Sequence, residues 1–155
     1  MANRDFEELF ACLSSRSVRA LVVGAHAVAY HAKPRYTKDV DIFVEPSVRN
    51  AERLLLALGD FGFGSLDLTV DDFSSPGKII QLGYEPNRVD FITSIGSVSF
   101  EQAWTGRVEG RYGDQSVFFL GLRELIQAKE DAGRPQDLAD LDWLRQVEKD
   151  TLPDS

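Results

Sequence analysis

The sequence predicts an α/β fold in which strands and helices alternate along the chain and the last elements are helices. Its 155 residues are the usual size of one domain, and a hydrophobic fraction of 43% can fill one sizeable core. No repeat, low-complexity tract or long Gly/Ser/Pro linker divides the chain. We therefore expect one domain over residues 1–150 and a frayed tail over 151–155.

The first half of the chain alternates helical and strand patterns. Apolar residues at helical spacing, short apolar runs and period-two alternation distinguish the elements. Gly24 separates the first strand from the helix after it, and Pro34 closes that helix. The predicted elements, in order, are a helix over 5–16, a strand over 18–23, a helix over 25–32, a strand over 39–44 and a helix over 47–58.

The second half predicts two strand pairs and then helices. A turn at residues 85–87 separates two apolar runs, which favours a hairpin. Gly133 and Pro135 break the helical pattern near the end, where Leu138, Leu141 and Leu144 are predicted to form the apolar stripe of the last helix. The predicted elements are strands over 78–84 and 88–95, a short helix over 100–104, strands over 107–111 and 116–120, and two C-terminal helices.

The composition limits the partners. A formal charge of -8 repels polyanions, so nucleic acid would need a local basic patch. No run of apolar residues is long enough for a membrane span, and the N-terminal residues lack a signal-peptide pattern. Cys12 is the only cysteine, which fits a reducing compartment. We expect a soluble cytoplasmic protein. The basic-patch candidates are Arg16, Arg19, Arg35 and Lys38, and separately Arg107 and Arg111.

Two carboxylates share one face of a predicted strand. Asp39 and Asp41 are one residue apart, so their side chains leave the sheet together while Val40 and Ile42 enter the core. Their mutual repulsion favours a cation between them, and Mg²⁺ prefers oxygen ligands. Alone, such a pair is more typical of the solvent face of an amphipathic strand.

Two further residues strengthen the metal hypothesis. Asp90 lies in an apolar strand context, where an acid is out of place unless it is paired, bound to metal or at a solvated strand edge. Gly24 ends a strand and precedes a helix, a turn that presents backbone N–H groups to phosphate oxygens. The predicted site is thus a metal cradle of three acids beside a phosphate-binding turn.

The order of these motifs resembles the DNA polymerase beta-like nucleotidyltransferase superfamily. The resemblance rests on Leu-Val-Val-Gly-Ala-His-Ala, followed after a short helix by the acid pair, with Asp90 as third acid. It extends less specifically to Lys129, Arg134 and Asp137, in a segment similar to small bacterial nucleotidyltransferase-like proteins related to abortive-infection toxins.

The resemblance implies a mixed sheet flanked by helices, dependence on Mg²⁺ or Mn²⁺, and transfer of a nucleoside monophosphate from a nucleoside triphosphate such as ATP. The acceptor would be a hydroxyl on a protein, an RNA or a small molecule. It implies metal binding and catalysis by Asp39, Asp41 and Asp90, with Asp90 as ligand or base. The implied nucleotide-binding residues are Gly24, Ala25, Arg35, Thr37 and Lys129.

Some of these assignments have alternatives. Arg35 and Thr37 could contact the acids or substrate, or lie in a solvated loop, and Lys129 could reach phosphates or be solvated. Ala25 stands where the superfamily pattern has Gly or Ser and therefore lacks a hydroxyl. The alternative functions are a catalytically degenerate nucleotide-binding module and a toxin–antitoxin interaction protein whose acidic surface meets a basic protein partner.

Overall fold

A computed structural model of the chain describes residues 3–33, 39–64, 66–84 and 87–151. Within these ranges the chain forms six strands and seven helices. The strands are β1 (Ala20–Val23), β2 (Val40–Val44), β3 (Ile79–Leu82), β4 (Val89–Ile92), β5 (Val108–Tyr112) and β6 (Gln115–Phe119). The helices are α1 (Arg4–Ser15), α2 (Gly24–His31), α3 (Val48–Phe61), α4 (Val70–Ser74), α5 (Phe100–Thr105), α6 (Leu122–Ala132) and α7 (Pro135–Thr151).

The strands form one mixed sheet in the order β3-β4-β2-β1-β6-β5. β2 runs parallel to β4, and β1 runs parallel to β6. The pairs β1/β2, β3/β4 and β5/β6 are antiparallel. The mixed α/β architecture is therefore confirmed, including the β3/β4 and β5/β6 pairs that the sequence predicted.

Apolar side chains on the central strands anchor the core. Val40, Ile42 and Val44 on β2 are fully buried, as period-two alternation predicts. α1 packs against α3 and β6, whereas α2 packs against α6 and α7. Ser47 accepts a hydrogen bond from the Asn50 N–H and begins α3. α1 and α2 thus pack on the sheet, and the C-terminal helices pack on α2.

Two local predictions need correction. The sequence pattern missed α4, a five-residue helix that buries Phe73 completely. The stripe predicted for the last helix is also shifted, because Leu138 is 53% exposed while Asp137 and Asp140 are buried. The two acids turn inward because Lys129 lies opposite them.

None of the helices in the described ranges has the combined length and apolar character needed to cross a membrane. The tail beyond Thr151 lies outside the described residues.

Candidate active site

Three strand ends bring the predicted site residues to one edge of the sheet. β1 ends at Val23 and is followed by Gly24, while the antiparallel β2 begins beside it with Val40 and Asp41. β4 begins next to β2 and in parallel with it, so that Asp41 is the register partner of Asp90. Asp41 therefore lies between the end of β1 on one side and a second carboxylate on the other.

Gly24 and Asp41 are fitted closely together. The φ angle of Gly24 is 65°, in the left-handed region that favours glycine. A β-carbon at this position would lie 2.2 Å from Asp41 Oδ2. Glycine thus does more here than permit a turn, because its missing side chain provides the space in which the Asp41 carboxylate lies.

The helix that begins at Gly24 offers unsatisfied N–H groups. The first amides of an α-helix have no intrahelical acceptor, and a side chain at the N-cap position commonly accepts from one of them. Val23 holds that position in α2 and provides no side-chain hydrogen bond. These amides, including the Ala25 N–H, are a suitable anion-binding group beside the carboxylates.

Asp41 is the acid whose electrostatic environment is most perturbed. Burial raises the pKa of its carboxyl group to about 6, and the Asp90 charge, a hydrogen bond with Asp90 and the Asp39 charge act in the same direction. The Arg88 guanidinium opposes these effects. Each carboxylate destabilises the charged form of its neighbours. A cation added among them is therefore strongly stabilising.

Arg88 bridges the other two acids. Its Nη2 atom lies 2.9 Å from Asp39 Oδ2, and its Nε atom donates to Asp90 Oδ1 at 3.1 Å. Residue 88 directly precedes β4, two positions before Asp90, so both side chains lie on the same face. One guanidinium therefore connects carboxylates from two adjacent strands.

His26 tethers the segment that carries Asp39. Burial lowers the pKa of the His26 ring, although a hydrogen bond with the backbone of Asp39 acts to raise it. The ring also makes edge-on contacts with Phe6 and Tyr112. His26 thus has a structural role in the described site, since it links the start of α2 to the residue before β2.

A cleft of about 370 Å³ opens beside Asp41. Gly24, Asp41 and Arg134 all line it. The Arg134 side chain is 75% exposed, and the Asp41 charge contributes to raising the pKa of its guanidinium, behind the larger effects of Asp137. The cleft therefore presents an accessible cation as well as the Asp41 carboxylate. Its apolar wall includes Ile79, Ile92, Ile95, Leu120 and Leu125.

Lys129 also lines the cleft, but its ammonium group is already paired with two acids. Its Nζ atom lies 3.2 Å from Asp137 Oδ1 and 3.1 Å from Asp140 Oδ2. Burial alone would raise the pKa of Asp137, but hydrogen bonds from Arg134 and Lys129 outweigh it and lower that pKa. This cluster fixes the α6/α7 junction. Arg134 belongs to it as well, since its Nε atom lies 2.7 Å from Asp137 Oδ2. Its side chain, however, is 75% exposed against 12% for Lys129, so Arg134 is the more accessible cation for a ligand.

The donor chemistry suits a hard divalent cation. Three carboxylates from β2, β4 and the residue before β2 offer oxygen ligands, the kind Mg²⁺ and Mn²⁺ prefer. As the side chains stand in the described residues, no group of three or more His, Cys, Asp or Glu is arranged to hold a metal ion. Asp41 and Asp90 adjoin each other, whereas Asp39 is drawn to Arg88. The residue types therefore suit a metal site of three carboxylates. For Asp39 to become a ligand, its carboxylate would have to turn away from Arg88.

The structure thus groups most of the residues predicted from the sequence. Gly24, Ala25, Asp39, Asp41 and Asp90 meet at one sheet edge, and Lys129 lines the cleft. Arg35 and Thr37 lie outside the described residues. Arg88 was missed, although its separation of two from Asp90 placed both on one strand face. The approach of Arg134 to Asp41 was also missed, because only folding brings these distant residues together.

This fold, with an uncapped strand–helix turn over an acid pair, is of the nucleotidyltransferase class. The chain belongs to the family described as nucleotidyl transferase of unknown function (DUF2204), whose model matches residues 2–153. It is similar in structure to a Thermotoga maritima protein provisionally assigned as a nucleotidyltransferase, with a TM-score of 0.61 and 19% sequence identity over 92% of each chain. That likeness supports the fold alone. No curated protein matches the chain.

Proposed function

We propose that the protein is a metal-dependent nucleotidyltransferase that moves a nucleoside monophosphate from a nucleoside triphosphate to a hydroxyl acceptor. The observation that carries the proposal is the juxtaposition of Asp41 and Asp90 beneath the uncapped N-terminus of α2. Family membership points to the same reaction class. The acceptor class is a hydroxyl on a protein, an RNA or a small molecule.

The proposed metal ligands are Asp39, Asp41 and Asp90. A bound Mg²⁺ or Mn²⁺ would supply Lewis-acid stabilisation of the charge on the triphosphate and on the attacking and leaving oxygens. Asp90 is also the candidate base, since a carboxylate next to Asp41 can accept the proton that the acceptor hydroxyl loses. The acceptor oxygen then bonds to the α-phosphorus as the bond to pyrophosphate breaks.

The triphosphate is assigned to the groups that face Asp41. The N–H groups at the start of α2 donate to phosphate oxygens, and the Arg134 guanidinium in the cleft lining offers charge-assisted hydrogen bonds. Lys129 is assigned a supporting role, because Asp137 and Asp140 hold its ammonium group.

The resemblance to the DNA polymerase beta-like superfamily, and to proteins related to abortive-infection toxins, belongs to this proposal. It rests on the residue order from Gly24 to Asp90. A toxin of this kind would modify a cellular acceptor and would be held in check by a protein partner.

A second candidate function is nucleotide binding without turnover, and Ala25 favours it. Ala25 retains its N–H but lacks the hydroxyl of a Ser at the same position, which removes a hydrogen bond to phosphate. The same carboxylates would then hold metal and nucleotide in a protein that recognises rather than transfers.

A label-transfer experiment tests the enzymatic proposal. The protein is incubated with each α-labelled nucleoside triphosphate, Mn²⁺ or Mg²⁺ and cell extract as the source of acceptors. We expect label on an acceptor with wild-type protein and none with Asp41→Asn. Asp60→Asn is a matched control, because Asp60 is an exposed acid paired with Arg16 on the protein surface.

The other outcomes separate the alternatives. Metal-dependent nucleotide binding without transfer to any component of the extract would support the degenerate binding module. A stoichiometric complex recovered from cells, unaffected by Asp39→Asn, would support an interaction protein. Equal label transfer by wild type and Asp41→Asn would overturn the assignment of the site.

A further inference from the structure

Arg88 contacts two of the three carboxylates that the proposed cation would use. Besides its contacts at 2.9 Å with Asp39 and 3.1 Å with Asp90, its Nη2 atom is 3.4 Å from Asp90 Oδ2. The guanidinium therefore holds one oxygen of Asp39 and faces both oxygens of Asp90. A metal ion coordinated by these carboxylates would need oxygens that Arg88 now binds.

Physical chemistry explains why a resident cation is needed. Asp39, Asp41 and Asp90 are three like charges at one sheet edge, and Asp90 is almost buried, with 13% of its side chain exposed. Close carboxylates without a counter-charge repel one another and favour protonation. A planar guanidinium with several N–H donors can neutralise two acids at once, which an ammonium group does less well.

The contact is also able to open. The Arg88 side chain is 32% exposed and the Asp39 side chain is 25% exposed, so solvent reaches the pair. Partly exposed ion pairs of this kind are weak compared with buried ones. A divalent cation carries twice the charge of a guanidinium, so exchanging one for the other improves the charge balance around the carboxylates.

We propose that Arg88 and the divalent cation compete for Asp39 and Asp90: the guanidinium holds these carboxylates in the cation-free protein and releases them when the cation binds. This inference rests on the proposed metal-dependent function. Arg88 is then a positioning residue, which holds the carboxylates of Asp39 and Asp90 in place before metal arrives and lowers the affinity for metal alone.

Nuclear magnetic resonance can observe the exchange in the wild-type protein. The Arg88 Nε–H group donates to Asp90 and is expected to give a protected resonance, assigned by its loss in Arg88→Lys. Titration with diamagnetic Mg²⁺ should shift or broaden this resonance at the concentrations that fill the site. An unchanged Arg88 resonance at saturating Mg²⁺ would overturn the inference, because the guanidinium would then have remained on its acids.

Binding of Mn²⁺ alone, measured by calorimetry and by electron paramagnetic resonance, is the second readout. Arg88→Gln removes the competitor, and we expect its dissociation constant for Mn²⁺ to fall about three- to tenfold. Arg16→Gln removes the same charge from a bidentate pair with Asp60 and should change the constant less than about twofold.

A third variant separates competition from a general charge effect. Arg134 acts on Asp41 through its charge, and its hydrogen bonds go to Asp137. If Arg134→Gln tightens Mn²⁺ binding as much as Arg88→Gln does, contact competition is excluded and the inference is overturned. A smaller effect of Arg134→Gln supports it.

The outcomes for this inference and for the proposed function are distinct. Equal Mn²⁺ affinity in wild type and folded Arg88→Gln would overturn the competition and leave the metal-dependent function standing. Absence of Mn²⁺ and Mg²⁺ binding in both proteins would overturn both. If Arg88→Gln does not fold, the Mg²⁺ titration of the wild-type protein alone decides the inference.

Discussion

The absent side chain of Gly24 leaves the space for the Asp41 carboxylate, since a β-carbon on residue 24 would lie 2.2 Å from Asp41 Oδ2. Gly24→Ala should therefore damage the site in two ways: it strains a backbone with φ of 65° and it displaces Asp41. We expect a loss of about 1–3 kcal/mol in the free energy of unfolding and loss of Mn²⁺-dependent nucleotide binding. Urea denaturation and calorimetry measure the two effects.

Gly59→Ala is the matched control for that variant. Gly59 lies within α3, and a β-carbon there would meet nothing within 4 Å. Alanine should raise stability by about 0.5–1 kcal/mol and leave nucleotide binding unchanged. Wild-type binding by Gly24→Ala would show that the close approach to Asp41 is not required for the site.

Asp41 is expected to lower the stability of the protein at neutral pH. Its pKa in the folded state is about 6, against an ordinary value of 3.8, so the folded protein holds the proton to higher pH than the unfolded chain does. The resulting loss of folding stability is absent below about pH 4, grows as the pH rises towards 6 and is complete above pH 6. Asp41→Asn should thus stabilise the cation-free protein by about 1–3 kcal/mol at pH 7.5 and have little effect at pH 4.

Urea denaturation of wild type and Asp41→Asn across this pH range provides the measurement. Asp60→Asn should behave oppositely, since the Arg16 side chain lowers the pKa of Asp60. Its stabilising contribution is present above the ordinary pKa and is lost as pH falls through the folded-state value. Equal stability of wild type and Asp41→Asn at pH 7.5 would contradict the electrostatic description of the site.

Lys129 is expected to act mainly on stability. Lys129→Met would leave Asp137 and Asp140, with 2% and 10% of their side chains exposed, without their shared ammonium group. We expect a loss of about 3–5 kcal/mol in the free energy of unfolding. The double variant Lys129→Met/Asp137→Asn should recover part of it, because one of the two carboxylates that lost the Lys129 ammonium group is then neutral.

Lys149→Met provides the comparison for Lys129, because Lys149 is exposed in the last turn of α7. It should change stability by less than about 0.5 kcal/mol. A stable Lys129→Met protein with weakened nucleotide binding would instead assign Lys129 to the phosphates.

Arg134 is expected to act mainly on ligand binding. Its exposed guanidinium faces the cleft, so Arg134→Gln should raise the dissociation constant for a non-hydrolysable nucleoside triphosphate about tenfold in the presence of Mg²⁺. Arg145→Gln is the control, because Arg145 is an exposed arginine of α7 that pairs with Glu130 of α6 and does not line the cleft. Equal affinities of the two variants would remove Arg134 from the phosphate site.

Local patterns predicted much of the fold and part of the site. Period-two alternation placed Asp39 and Asp41 on one strand face, and the Gly24 turn was visible as a break between a strand and a helix. Neither pattern contains the pairing of β2 with β4, which puts Asp90 beside Asp41. That register depends on contacts between segments far apart in the chain, so the sequence indicated Asp90 only through its apolar context and the resemblance to a superfamily, without the pairing.

The remaining differences have a common physical cause. The last helix was assigned by hydrophobic spacing, which cannot show that buried Asp137 and Asp140 share a cation from α6. Arg88 was likewise overlooked because a charged residue near a strand end is ordinarily solvated. In both cases a pair of charges, rather than an apolar stripe, determines which side chains face inward.

The candidate site draws its groups from chain positions as distant as 24, 41, 90 and 134, held on separate elements. No contiguous fragment shorter than this span contains all of them, so the site is completed only after the non-local strand pairing and the helix junction have formed. A ligand that binds only this completed arrangement stabilises the native state by mass action. Ligand affinity would therefore report on the last stages of folding, which local helix content alone cannot reveal.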